Sequence, residues 1–554
     1  MMLSAVLCLA AAALFLIKLL WDHRRRCRIA LPGPRGLPLL GNVLQIDGRR
    51  SYETYAKWSR IYGEAYRISI FGQPVIVLSS METIREVLVE RGQDFAGRPR
   101  QFFRAGFLAD SYQDIVSGSP GPVWNALRKT VQREMKSIAK ESCNGHRRLD
   151  CLTADILDDM MEELLAFHGE PIDPLPQVYD AVMNMTCLML IGDRYQSDAD
   201  ELAMYKRLER LVTTSMRVGG KGVELDILPW LRFFGNSTYR SLCEAKRLRD
   251  VLYDRIKDRI EDDRTRGDGG AVVRGLAHAL VAALDGDGDR KQNSALTSNN
   301  VKLSIVNLLI GGASSSTNYV YLLMNILAQN PDVQEKLRAE VMRVVGSDRR
   351  PTVADRASMP YATATVLELL RYGSLSPIVI PHQTVRDTRI RDVEVPGGVW
   401  IFMHLRRVHH DEEFWGDPYR FRPDRFIDPE SGQLVPPEHE RRRHVLSFSG
   451  GPRACPGEAI ALVRLFLGAV IIVQRSVVLP DSVASQVSCD PRTFDPGLVL
   501  SPKNFRVCFV RRQLNAVFYP DTIGLGENTE VLGMDILGPA THRGPETENF
   551  SLRE

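Results

Sequence analysis

Cys455 lies in Phe448-Ser449-Gly450-Gly451-Pro452-Arg453-Ala454-Cys455-Pro456-Gly457, and the residues around it narrow what it can do. A structural cysteine in a core behaves as a small hydrophobe and accepts almost any apolar neighbours. A thiolate metal ligand carries negative charge, so backbone N–H groups must reach its sulfur. Glycine lets the backbone come that close, and Gly450, Gly451 and Gly457 flank this one cysteine. The pattern F-x-x-G-x-R-x-C-x-G is met at every fixed position. The other cysteines do not compete for the role. With Cys455 they make nine, scattered through the chain with no C-x-x-C pair and an odd total, which is neither a disulfide framework nor a zinc site and fits a reducing compartment.

Three further groups could act with it. Glu368 and Arg371 are three apart in a helical stretch, so they share a face. Downstream, Pro423-Asp424-Arg425-Phe426 precedes the cysteine loop. Trp124 and Arg128 are four apart and also share a helix face. A helix expected over Val301–Gln329 is apolar at Val306, Leu308, Leu309 and Ile310, then reads Gly311-Gly312-Ala313-Ser314-Ser315-Ser316-Thr317. Two glycines cost such a helix roughly 1 kcal/mol each, and serines bonding back to carbonyls bend it. A deformed midpoint is expected there.

The order E-x-x-R, P-x-R-F, cysteine loop resembles the cytochrome P450 monooxygenases, and the resemblance covers roughly residues 31–512. It implies the mainly helical cytochrome P450 fold with a small β-rich subdomain. It also implies haem b as cofactor, with Cys455 as the axial thiolate and Phe448 and Gly451 in the haem-binding loop. Glu368, Arg371 and Arg425 would form a buried charged network behind the haem. Arg128, with Trp124 beside it, Arg453 and His382 would meet the haem propionates. The family's distal helix reads [AG]-G-x-[DE]-T-[TS]; here Ser314 stands at the acidic position and Ser315 at the threonine position. Ser315 keeps a hydroxyl, whereas Ser314 loses a carboxylate that helps relay protons.

The implied activity is insertion of one oxygen atom of O₂ into a lipophilic small molecule. NADPH would act indirectly, through NADPH-cytochrome P450 reductase, with cytochrome b5 an optional second donor. The absence of a G-x-G-x-x-G strand-turn-helix unit or a P-loop agrees with a separate electron source. The Pro-rich hinge and Leu228-Pro229-Trp230-Leu231 are similar to fungal secondary-metabolite enzymes of the O-methylsterigmatocystin oxidoreductase group. Two rivals stay open: a haem-thiolate enzyme that rearranges or dehydrates its substrate without O₂, and a non-catalytic membrane haem binder.

The elements around these residues must hold them. The chain has 554 residues with 71 basic and 68 acidic side chains, a net charge of +3 that gives no sign of a nucleic-acid partner. Residues 1–30 are expected to form an uncleaved N-terminal transmembrane anchor: an apolar run long enough to span a bilayer, then Arg24, Arg25, Arg26 and Arg28. This places the catalytic body on the cytoplasmic side of the endoplasmic reticulum. Leu31–Pro38 should stop helix propagation into that body. The haem domain then spans 31–515, and the Gly/Pro/Thr/Glu-rich 516–554 is expected to be a tail. Within the domain, Ala65–Phe71 and Val75–Leu78 read as strands about a turn at 72–74, and strand-like text returns at Val393–Phe402 and Leu498–Val510. Mostly apolar positions at 101–121, 216–228, 310–315, 378–380 and 497–499 match where the family lines its substrate pocket.

Overall fold

The computed structural model describes residues 29–512 except 39, 139–141, 144–145, 193–198, 217–221, 266–274, 285–295, 482–486 and 498. The anchor at 1–30 falls almost wholly outside the described residues, and the tail at 516–554 entirely so. Among the described residues, no helix is long and apolar enough to cross a membrane.

Helices dominate. In chain order the principal ones are α1 (Ser51–Tyr62), α2 (Pro122–Ile138), α3 (Arg148–Leu165), α4 (Leu175–Ile191), α5 (Ala199–Ser215), α6 (Ser237–Thr265), α7 (Ser298–Gln329), α8 (Pro331–Val344), α9 (Pro360–Gly373) and α10 (Glu458–Arg475). A four-stranded sheet combines β1 (Ala65–Ile70), β2 (Gln73–Leu78), β3 (His382–Gln383) and β4 (Trp400–Met403) in the order β1-β2-β4-β3, with β2 and β4 parallel. A separate antiparallel pair joins β5 (Ser476–Pro480) to β6 (Val507–Arg511).

Local chemistry explains the boundaries. The hairpin turn falls on Phe71-Gly72, one residue earlier than expected, and both have positive φ (48° and 76°). Such a turn matches the twist of the strands it joins. Pro74 therefore sits inside β2, just before the stretch that pairs with β4. The run 393–402 is broken by Pro396-Gly397-Gly398, and only Trp400–Met403 enters the main sheet. From 499 to 506 no regular strand forms.

α7 is the central beam. Thr297 Oγ1 accepts from Asn300 N–H at 3.3 Å while Asn300 Oδ1 accepts from Thr297 N–H at 2.9 Å, so the helix starts three residues before the expected Val301. That reciprocal cap satisfies two otherwise orphaned donors. α7 packs along α4, α10 and β5 and is buried over most of its length. It stays one continuous helix through Gly311-Gly312, the midpoint where deformation was expected. Ser315 Oγ donates to the Gly311 carbonyl at 2.8 Å, and Arg464 Nη1 donates to the Gly312 carbonyl at 3.2 Å.

Candidate functional site

The cysteine loop is fixed by backbone fit. Gly451 has φ +63°, and a Cβ there would lie 1.7 Å from the Leu88 carbonyl oxygen, so no side chain is possible. A Cβ on Gly92 would meet Pro452 Cδ at 2.6 Å. The loop is thus seated against residues 86–92. The Cys455 N–H donates to the Phe448 carbonyl at 2.8 Å, closing the loop on itself. Cys455 is accessible, yet the surrounding protein raises its thiol above the ordinary value. Burial is the larger cause, opposed by the Gly457 N–H reaching the sulfur and by Arg128. The start of α10 immediately follows, and a helix N-terminus favours negative charge. Left alone the thiol keeps its proton; a metal would remove it.

Beside the loop lies a group of cations with too few anions. Arg128, on α2, donates from Nη2 to the Ala454 carbonyl and so touches the residue before Cys455. Arg453 donates from Nε to the Ala96 carbonyl at 2.8 Å and from Nη2 to the Gly118 carbonyl at 2.5 Å, but its Nη1 is buried without a partner. Burial pushes this guanidinium down to about 8, and repulsion from Arg98 and Arg128 adds to it; Asp114 opposes. His382 has Nδ1 2.8 Å from the Phe95 carbonyl, which can only accept, so Nδ1 carries the proton. Its Nε2 is buried and unpartnered. Burial, then Arg98 and Arg453, hold the ring well below the usual histidine range, hence neutral.

Arg98 was not anticipated. It is buried, donates from Nε to the Val116 carbonyl at 3.0 Å and from Nη1 to the Ile380 and Pro381 carbonyls, and burial pushes it down to about 10. Nothing in the isolated text Gly97-Arg98-Pro99 marks it; only burial beside Arg453 and His382 does. Trp124 departs from expectation. Its indole N–H donates to the Ile115 carbonyl at 2.9 Å, so it is not free for an anionic ligand. Its ring instead lies under the Arg453 guanidinium, 4.0 Å away. Such a cation–π contact stabilises a buried cation. Trp124 and Arg128 also line a 440 Å³ recess along α2.

Glu368, Arg371 and Arg425 do come together, in a different place. Arg371 donates from Nε to Glu368 Oε2 at 2.7 Å and from Nη2 to Oε1 at 2.8 Å, and both side chains are completely buried. Its remaining bonds reach the His409 and Pro418 carbonyls. Arg425 Nε joins Glu368 Oε1 at 3.3 Å, and its other nitrogens meet the Trp415 and Asp417 carbonyls and Asp417 Oδ1. These donors are consumed inside the protein, so the trio is turned to itself and to backbone. His409 carries the effect onward: its Nε2 accepts from Leu446 N–H at 3.0 Å, at the entrance to the cysteine loop.

On α7, Gly311 and Ser315 share a face, and a Cβ on Gly311 would meet nothing within 4 Å. Ser314 lies toward α5, where it and Glu209 line a cavity of about 230 Å³. Of the pocket positions read from sequence, Phe103 and Phe107 pack with each other and with Tyr239. Between them, Arg104 holds Asp226 at 2.7 Å and donates to the Ser215 carbonyl, tying 103–108 to the end of α5.

An accessible thiol with a backbone N–H at its sulfur, next to buried cationic donors short of anions, suits a metal-bearing anionic cofactor. That defines a thiolate-ligated metalloenzyme of mainly helical fold. The chain matches the Cytochrome P450 family over residues 31–509 and belongs to it. It is 32% identical over 452 residues to "Cytochrome P450 1A1" of Rattus norvegicus, covering 80% of this chain and 83% of that one. It is 31% identical over 456 residues to "Cytochrome P450 1A2" of Oryctolagus cuniculus, covering 80% and 85%. The protein is therefore a monooxygenase that uses haem iron with a cysteine thiolate ligand and draws electrons from NADPH through a reductase.

Proposed function

We propose that Cys455 is the axial ligand and that Arg128, Arg453 and His382, together with Arg98, hold the two carboxylates of the haem. The observation that carries this is the unpartnered Nη1 of Arg453 beside the thiol loop, a buried cation that an anion would satisfy. Gly457 N–H steadies the thiolate, and Trp124 steadies Arg453 from behind. When bound, the haem supplies oxygen activation. Around it this chain seats the thiolate, neutralises the carboxylates and presents Ser315 from the distal helix. Phe448 and Gly451 shape the loop, and Glu368, Arg371 and Arg425 brace it without touching the cofactor.

The substrate is a lipophilic small molecule, as the apolar positions named above favour. A role in tailoring secondary metabolites rests on the resemblance of the hinge and of Leu228–Leu231. The haem domain spans 31–515, held to the endoplasmic reticulum membrane by residues 1–30, with 516–554 as a tail. Electrons arrive from NADPH-cytochrome P450 reductase, with cytochrome b5 an optional second donor. Cys455→Ala should lose the red-shifted Soret band of the reduced carbon monoxide adduct; survival of that band would show the ligand assignment to be wrong. Anaerobic turnover at the aerobic rate would favour the rearranging rival instead.

A further inference from the structure

Three helices meet at the cavity of about 230 Å³ and leave polar groups unanswered there. Its walls include Tyr179 of α4, Glu209 of α5, and Ser314 and Thr317 of α7. Thr317 is only 3% exposed, and its Oγ1 is buried without a partner. The Tyr179 hydroxyl is likewise buried and unpartnered. Two orphaned hydroxyls in one cavity are costly unless something occupies it, since each has given up its hydrogen bonds to water. Glu209 is the one charged side chain among the described residues that line the space. The cations nearby do not neutralise it. Lys206 lies over the Tyr179 ring but pairs with Asp180 at 2.5 Å, and Arg210 is exposed to solvent. Burial holds the Glu209 carboxyl above its ordinary value, and Arg210 opposes this only in part. Thr214, which is exposed, also lines the cavity, so a small molecule can enter from solvent.

We propose that this cavity binds a protonated primary amine. An ammonium group carries three N–H donors and no acceptor. The Glu209 carboxylate, Tyr179 Oη and Thr317 Oγ1 offer acceptors from three different helices. The contact between ammonium and carboxylate is charge-assisted, roughly twice as strong as a neutral hydrogen bond. A neutral alcohol answers the hydroxyls but not the charge, and an anion is repelled by Glu209. The volume is that of about seven waters, enough for the ammonium and a few carbons. The amine has two sources to choose between, the end of a lipophilic substrate or a small free amine. Ser314, Gly497 and Val499 of this cavity are among the positions matched to the substrate pocket, which favours the substrate's own end. For that source the proposal rests on the lipophilic-substrate reading and narrows it to a lipophilic amine.

The test uses the full-length haem-loaded protein as its reduced carbon monoxide adduct, so that no amine can occupy the iron. Calorimetry at neutral pH follows propylammonium and its uncharged match, propanol. Propylammonium is small and should bind on the order of millimolar, with propanol at least about tenfold weaker. Glu209→Gln should weaken propylammonium at least about tenfold, and Tyr179→Phe and Thr317→Val about fivefold each. An unchanged carbon monoxide band in each variant shows that the fold and haem site are intact. Equal affinity for propylammonium and propanol, or wild-type affinity in Glu209→Gln, overturns the proposal. So does the absence of any heat from propylammonium, which leaves a cavity filled by water only. Turnover with the reductase then separates the sources. If decylammonium is oxidised with a KM that rises about tenfold in Glu209→Gln at nearly constant kcat, and propylammonium competes, the amine is the substrate's. Propylammonium that binds without competing is a separate small ligand of the same site. Oxygen-independent turnover of the wild type would instead sink the monooxygenase reading, and the calorimetric result would still decide whether the site exists.

Discussion

Two sets of buried charges lie close to the cysteine loop, and they are built on opposite terms. In the Glu368–Arg371–Arg425 set, the carboxylate and the guanidinium donors meet one another or backbone carbonyls. In the Arg98–Arg128–Arg453–His382 set, cations crowd together, Asp114 is the main counter-charge, and Arg453 Nη1 and His382 Nε2 are left open. A saturated buried network spends its hydrogen bonds on shape, whereas an unsaturated one costs stability until something arrives to satisfy it. On the proposed reading, the first set holds the scaffold and the second receives the cofactor.

The comparison is broken most directly at Arg371. Arg371→Ala would strand the Glu368 carboxylate in a dry interior, and removing one partner of such a pair costs about 3–5 kcal/mol. Urea unfolding should show that loss, and most of the expressed protein should lack the reduced carbon monoxide band. A loss under ~1 kcal/mol would mean the network is not saturated in the way described.

Acid should separate the two sets next. His409, in the saturated set, is buried with both nitrogens engaged, and burial followed by Arg371 pushes it down to about 3. The unfolded ring titrates near 6.5, so the unfolded chain binds the extra proton first. His409 therefore lowers stability as pH falls from about 6.5 toward 3, by about 1.4 kcal/mol per pH unit, and has no effect above. Fully buried His404, also pushed down to about 3, adds a second such slope. Urea midpoints measured between pH 8 and 5 should be flat and then fall. His382 should behave differently: carboxylates arriving beside it favour its charged form, so haem binding should take up protons below neutral pH while His409 stays neutral.

Arg453→Met gives the contrast its sign. Removing a buried cation with an open donor relieves its desolvation but strands the Ala96 and Gly118 carbonyls, so apoprotein stability should change little. Haem affinity should nonetheless fall by roughly 10- to 100-fold, the value of one or two charge-assisted bonds of about 1.5–3 kcal/mol. Haem titration of the apoprotein reads the second effect and urea unfolding the first. If both fall together, Arg453 belongs with the scaffold.

What could be read in advance divides along similar lines. Glu368, Arg371 and Arg425 were legible because their motif order carries the family resemblance, which implies the network; helix spacing alone gives only the shared face of Glu368 and Arg371. Their separation from the cofactor's donors was not legible, because spacing does not say which atoms are already taken. The Arg464 bond to the Gly312 carbonyl, supplied from α10 at the expected midpoint of α7, was not legible either, because propensity counts only local cost. Arg98 left no motif at all. It becomes significant only when packing places it beside Arg453, and that placement is tertiary.

Trp124 gives the smallest and most discriminating test. Trp124 and Arg128 share a helix face by spacing, and the family resemblance implied that Arg128, with Trp124 beside it, meets the cofactor's carboxylates. The folded protein instead gives the indole N–H to Ile115 and the indole face to Arg453. Trp124→Phe keeps an aromatic face under the guanidinium while removing the donor. The lost bond to a backbone carbonyl should cost about 1 kcal/mol of stability, and the weaker face of phenylalanine a few tenths more. Haem affinity should change by less than about threefold, within the reach of that weaker face alone. Trp124→Leu, which removes both donor and face, should lower affinity further because Arg453 loses its support. A Phe variant that binds haem as poorly as the Leu variant would restore the N–H as the functional atom and dissolve the assignment of Trp124 to Arg453.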